Sequence, residues 1–263
     1  MAEPAFVSAG TYLSGSGSSA AVPVPPGTAA GMLVVVVMFL DGPALSEGPT
    51  TPAGFAPAPG TPVQIPSGGG AHSLYVWYKR LSGSDSGTYD VTWSDSRFRE
   101  AQATLWDGVV ASGSPWDPDV DSATDLANGT VTPPVAITTS GPDRRLIHAA
   151  TCWAGGTWTP PAGFEKRMQG GVGLVTLADR SWPAAGPTGD ITAQVTGSDK
   201  RIAWLGAIYG PAAAVPAELD DAATAGDDLA VQAATTAGDA AAAAGTLAVT
   251  VTAAAQDAGG GAE

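Results

Sequence analysis

"TTPAGF" at Thr50–Phe55 and "WTPPAGF" at Trp158–Phe164 are nearly the same phrase, set about a hundred residues apart. Each places proline after threonine or proline. Proline fixes φ near ~−65° and removes a ladder donor, which ends the preceding strand. Gly54 and Gly163 then supply the positive φ that a type II turn needs. Phe55 and Phe164 are expected to tuck back under the turn and plug the end of a sandwich. The phrase therefore reads as a device that pins strand register, with a structural role in preference to a binding one.

Reading outward, the same order of elements surrounds both phrases. An apolar strand precedes each: "GMLVVVVMFL" (31–40) and "RRLIHAATCWA" (144–154). A Gly-rich turn and a second strand follow, "HSLYVWYKR" (72–80) against "VGLVTLADR" (172–180), each ending in arginine at Arg80 and Arg180. Alternating strands come next, "GTYDVTWSDS" (87–96) and "GDITAQVTGSD" (189–199), with "VTWSD" and "VTGSD" in register. Each half closes on a strand and a glycine, "AQATLWDG" (101–108) and "IAWLGAIYG" (202–210). "FVSAGT" (6–11) and "DLANGTVTPPVAITT" (125–139) are the expected opening pair. The order of features carries the duplication, since identity between the halves is low.

Short strands with turn signals every ten residues or so predict an all-β fold. The expectation is an antiparallel β-sandwich, jelly-roll-like, built from pseudo-repeated halves at about 1–112 and 113–211 that share one body. The nine apolar residues at 32–40 are too few to cross a bilayer as a helix, which takes ~20, and read as a strand buried on both faces. Only 14% of the residues are charged, while Gly (35) and Pro (22) abound, as suits strands joined by many turns.

Residues 212–263 are different material: mostly Ala, Thr, Asp and Gly, with eight acids and no Lys or Arg. "PAELDDAATA" has helix-start character and "GTLAVTVTA" (245–253) alternates like a strand. This acidic, Ala-rich tail is expected to be partly helical or to order on assembly.

The formal net charge of −14 offers no basic stripe, which argues against nucleic-acid binding and against anionic lipid. "MAEPAFVSAG" has an acid where a secretory signal would have a basic region, so synthesis in the cytoplasm without a signal peptide is expected. Cys152 is the single cysteine, which excludes an internal disulfide and a multi-cysteine zinc site.

Catalytic candidates are few. His148 and Cys152 fall on one face of a strand, but "LIHAATCWA" reads as a satisfied core pair and not as a nucleophile site. Asp117, Asp119, Asp121 and Asp125 superficially suggest a calcium loop. An EF-hand would want glycine at the sixth position and glutamate at the twelfth, where this chain has Ser122 and Asn128. A looser Ca²⁺ staple is the alternative to a solvated acidic connector. Of eight tryptophans, Trp77, Trp93, Trp106, Trp153 and Trp204 fit strand patterns. Trp116, Trp158 and Trp182 lie in loops beside Pro or Gly, where contact to a partner subunit or simple anchoring of the loop is expected ahead of stacking on a glycan. No phosphate-cradling glycine motif and no zinc spacing occur, so no cofactor and no enzymatic activity are expected.

The segments "WTPPAGF" and "SLYVWYKR…SGTYDVTWSDS", in an Ala/Gly/Pro/Thr-rich chain low in lysine, resemble virion structural proteins of actinobacterial phages. Minor tail or tail-fibre proteins are the group in view, and the resemblance covers about residues 20–210. It implies a β-rich module assembled on the particle, with no cofactor and no catalytic residues; the partners expected with it are other virion proteins, further copies of the chain and, at the host surface, a glycan as one candidate. A capsid decoration or head-fibre protein, a carbohydrate-binding module, and a peptidoglycan-cleaving tail enzyme using His148 or Cys152 are the alternatives.

Overall fold

The computed structural model describes residues 3–42, 48–168 and 170–211, all within one compact unit. The tail features at 216–225 and 245–253 lie outside the described residues. The first half holds β1 (Ala5–Ala9), β2 (Leu13–Pro23), β3 (Leu33–Asp41), β4 (Ala56–Pro57), β5 (Val63–Ile65), β6 (His72–Arg80) and β7 (Thr88–Asp107). The second holds β8 (Asp121–Val131), β9 (Thr138–Thr139), β10 (Arg144–Cys152), β11 (Trp158–Thr159), β12 (Glu165–Met168), β13 (Val175–Trp182), β14 (Gly186–Pro187) and β15 (Gln194–Tyr209). No helix occurs among the described residues, and every strand pairing is antiparallel.

Each half of the chain makes one large sheet of an antiparallel sandwich, and β9 pairs with β14 in a small third sheet. In the first, β3 lies between β6 and β7, with β2 beyond β7 and the short β4 and β5 beyond β6. In the second, β10 lies between β13 and β15, with β8 beyond β15 and β12 beyond β13. Register repeats with order: Val35 stands between Tyr78 and Thr104, and Ile147 between Asp179 and Gly206. The same correspondence sets Val36 against His148, Asp41 against Trp153, and Arg99 against Arg201. It also corrects two sequence pairings. Arg180, opposite Leu146, matches Lys79, opposite Val34, and not Arg80. "FVSAGT" matches the chain around Trp116 instead of 125–139, because Phe6 pairs with Trp106 as Trp116 bridges to Ile208. The opening partner of β8 is β2, whose Ser- and Gly-rich sequence carries no apolar alternation to mark it.

The continuous apolar run of β3 follows from this layering. Leu33, Val35, Val37 and Phe39 face the interior shared with Ile147, Ala149, Val175, Leu177 and Trp204. Val34, Val36, Met38 and Leu40 face outward, yet are also buried. Their cover comes from β7, which is long enough to fold its first part back: Tyr89, Val91 and Trp93 pack across them. The second half repeats the device, with Val135, Ile137 and Ile191 over Leu146, Ala203 and Leu205. A strand buried on both faces has no polar side to show.

The repeated phrase makes the same turn twice. Phe55 N–H donates to Pro52 O at 3.0 Å and Phe164 N–H to Pro161 O at 2.9 Å. The φ angles of Gly54 and Gly163 are 78° and 79°. Lys79 lies over the first glycine and Arg180 over the second. The two phenylalanines do not plug a common end: Phe55 packs edge-on to Tyr89 in one outer core and Phe164 against His148 in the other. Gly163→Ala places a Cβ in the left-handed region and is expected to cost about 1–2 kcal/mol, read as a lowered urea midpoint with an unchanged m-value.

Candidate functional site

The sequence-derived site residues are mostly interior. Trp116 is 2% exposed and sits edge-on to Trp204 and Tyr78, at 5.2 and 5.8 Å between ring centres. It is the counterpart of Phe6, so the duplication itself turns it inward. Trp158 is 1% exposed, with its Nε1–H donating to Gly173 O at 2.7 Å. Neither is a surface contact, which corrects the expectation drawn from their loop positions. Trp182 alone of the three is half-buried, under the guanidinium of Arg180.

The aspartates do not converge on a cation. Asp117, Asp119 and Asp121 accept the backbone N–H groups of Ser140, Thr138 and Ala136 in turn, at 3.0, 2.5 and 2.8 Å. Alternate carboxylates thus replace a strand ladder and hold the 136–140 segment. Asp117 also pairs with Arg144, and Asp125 pairs with Arg201. No group of three metal-ligating side chains forms among the described residues. The calcium-loop reading is replaced by a stapling role.

His148 and Cys152 share the outward face of β10, about 13 Å apart by the rise of a strand. Burial pushes the Cys152 thiol up, away from the thiolate a nucleophile needs. His148 is fully buried, and neither ring nitrogen has a partner. The expected satisfied pair is therefore two separate core residues, one of them unsatisfied. Burial lowers the His148 pKa to about 4.

Polar groups instead fasten the two halves. Glu100, fully buried on β7, accepts from Tyr12 Oη, Ser14 Oγ, Val172 N and Leu174 N; the last two, at 2.7 and 2.6 Å, belong to the opposite half. Burial and the adjacent carboxylate raise the Tyr12 phenol well above its ordinary range. Asp179, also fully buried, is gripped by Arg145 and Arg167, and Arg145 reaches Glu3 at 2.9 Å. His72 Nε2 lies 2.9 Å from Thr151 Oγ1 across the same interface.

Where β3, β10 and β13 reach one end of the sandwich, the halves leave a groove of about 300 Å³. Phe39, Asp41 and Phe98 line it from the first half, and Trp153, Val172 and Leu174 from the second. Val172 is 58% exposed, while Phe98 and Trp153 are half-buried. Trp153 is backed by Phe39 and His72, each 6.2 Å away between ring centres. A second open groove of about 600 Å³ adjoins at Val172 and is walled by Gly170–Gly173, Gly156, Thr157, Thr196 and Lys166. Sequence reading placed Trp153 in the strand interior. Its signal was position, since it follows the last buried residue of the β10 run.

No family model matches the chain, and neither a curated protein nor a solved structure matches it.

Proposed function

We propose that this protein is a structural component of a bacteriophage particle, associated with the tail, working in assembly and in contact with the host surface. One observation carries the reading: the described buried carboxylates and histidines either fasten the sandwich or lie in its cores. Glu100, Asp117 and Asp179 are committed to internal bonds, and His148 is sealed in an outer core. Groups held in this way serve the fold, which leaves the surface of the body for docking. The net charge of −14 disfavours nucleic acid and anionic lipid as partners. Among the described residues no helix is long and apolar enough to cross a membrane.

Cryo-EM and quantitative mass spectrometry of purified particles test this. A few copies at the tail are the expected result, and absence from the particle overturns it. Hundreds of copies on the head would establish capsid decoration in its place.

A further inference from the structure

The duplication makes departures from symmetry informative. Asp41 and Trp153 hold equivalent places, each directly after the buried run of its central strand, and so do Phe39 and Thr151. The halves keep apolar or small residues along most of these strands, yet here one supplies a carboxylate and a phenyl ring while the other supplies an indole and a hydroxyl. Three of the four line the end groove, Phe39, Asp41 and Trp153, and the buried Thr151 locks His72 behind Trp153. His72 is also fixed by Gly70 O at 2.8 Å. The indole therefore stands on a rigid backing.

We propose that this groove binds a neutral oligosaccharide, with one pyranose ring stacked on Trp153 and its hydroxyls donating to Asp41. The inference rests on the host-contact role proposed above. A pyranose has an apolar C–H face and a polar rim, which matches an aromatic surface beside a carboxylate. The adjoining groove extends the run with the exposed Gly171, Thr157, Thr196 and Lys166, hydrogen-bonding groups for further rings. The Asp41 carboxylate on the wall disfavours a phosphorylated or acidic ring at that position. An extended peptide would need an unpaired strand edge along the groove. The groove is walled by the ends of β3 and β10, by Phe98 of β7, which pairs with Ser16 of β2, and by the turn before β13.

The test is calorimetric titration of the full chain with disaccharides and tetrasaccharides of glucose, galactose, mannose and N-acetylglucosamine, with tryptophan fluorescence in parallel. At least one series is expected to saturate. Trp153→Ala should weaken it by at least ~tenfold. Val172→Asp, at an exposed rim position, should do the same without moving the melting temperature, which separates loss of binding from loss of fold. Saturation by none of the sugars, or unchanged affinity in both variants, overturns the proposal, as does saturation by unfolded casein in their place. Particles carrying Val172→Asp should still contain the protein. Sugar binding by a protein absent from particles would sink the virion reading and leave this one standing.

Discussion

Glu100→Ala is expected to lower the unfolding free energy by about 3–5 kcal/mol. The wild-type carboxylate is fully buried and accepts two backbone N–H groups from the opposite half, at Val172 and Leu174, besides two hydroxyls. Alanine leaves those donors without an acceptor, and a buried donor so stranded costs about 1–3 kcal/mol. The removed side chain also leaves a void. Glu100→Gln keeps the volume and one acceptor oxygen but turns an NH₂ toward N–H donors, so it should fall between the two. Chemical denaturation at pH 7 reads the series. A loss below 1 kcal/mol for alanine would mean that the halves are held by their apolar core alone.

His148→Leu should act in the opposite direction, and more strongly in acid. Both ring nitrogens of His148 are buried without partners, and an apolar residue of similar volume relieves that cost, by about 1–3 kcal/mol at pH 7. The first half already carries the apolar solution, because the counterpart of His148 is Val36. The folded pKa of about 4 lies below the ordinary 6.5. Between those values the unfolded chain binds a proton that the folded chain refuses. The wild type thus has its full stability above pH 6.5 and loses it as pH falls toward 4, by about 3 kcal/mol from this residue. The leucine variant escapes that share. His72, lowered to about 4 for the same reason of burial, retains its own acid sensitivity in both proteins. The gap between wild type and variant should accordingly widen from pH 7 to pH 4.5, and a constant gap would show that His148 is not the titrating group.

Much of the architecture was legible because it is written in local terms. Pro, Gly and Phe at matched places specify one turn wherever they occur, and an apolar run bounded by turns specifies a strand. The groove was less so. Trp153 was visible only as the last aromatic of a strand pattern, and Trp116 and Trp158 looked exposed because proline and glycine flank them. Flanking residues govern backbone conformation, whereas burial depends on what arrives from elsewhere in the chain. Trp116 is covered by Tyr78 and Trp204, and Trp158 bonds Gly173. The aspartate series shows the same limit: spacing displayed four carboxylates, and only the 136–140 segment opposite gave three of them their donors.

The sequence by itself determined that the described body is all-β, that its two halves repeat, and where the repeated turn falls, since backbone preference and hydrophobic period act over a few residues. The tertiary structure alone decided which tryptophans face solvent, which acids are spent inside, and that Asp41 and Trp153 come to line one groove. Those outcomes depend on contacts between residues tens to more than a hundred positions apart, and local sequence does not encode them.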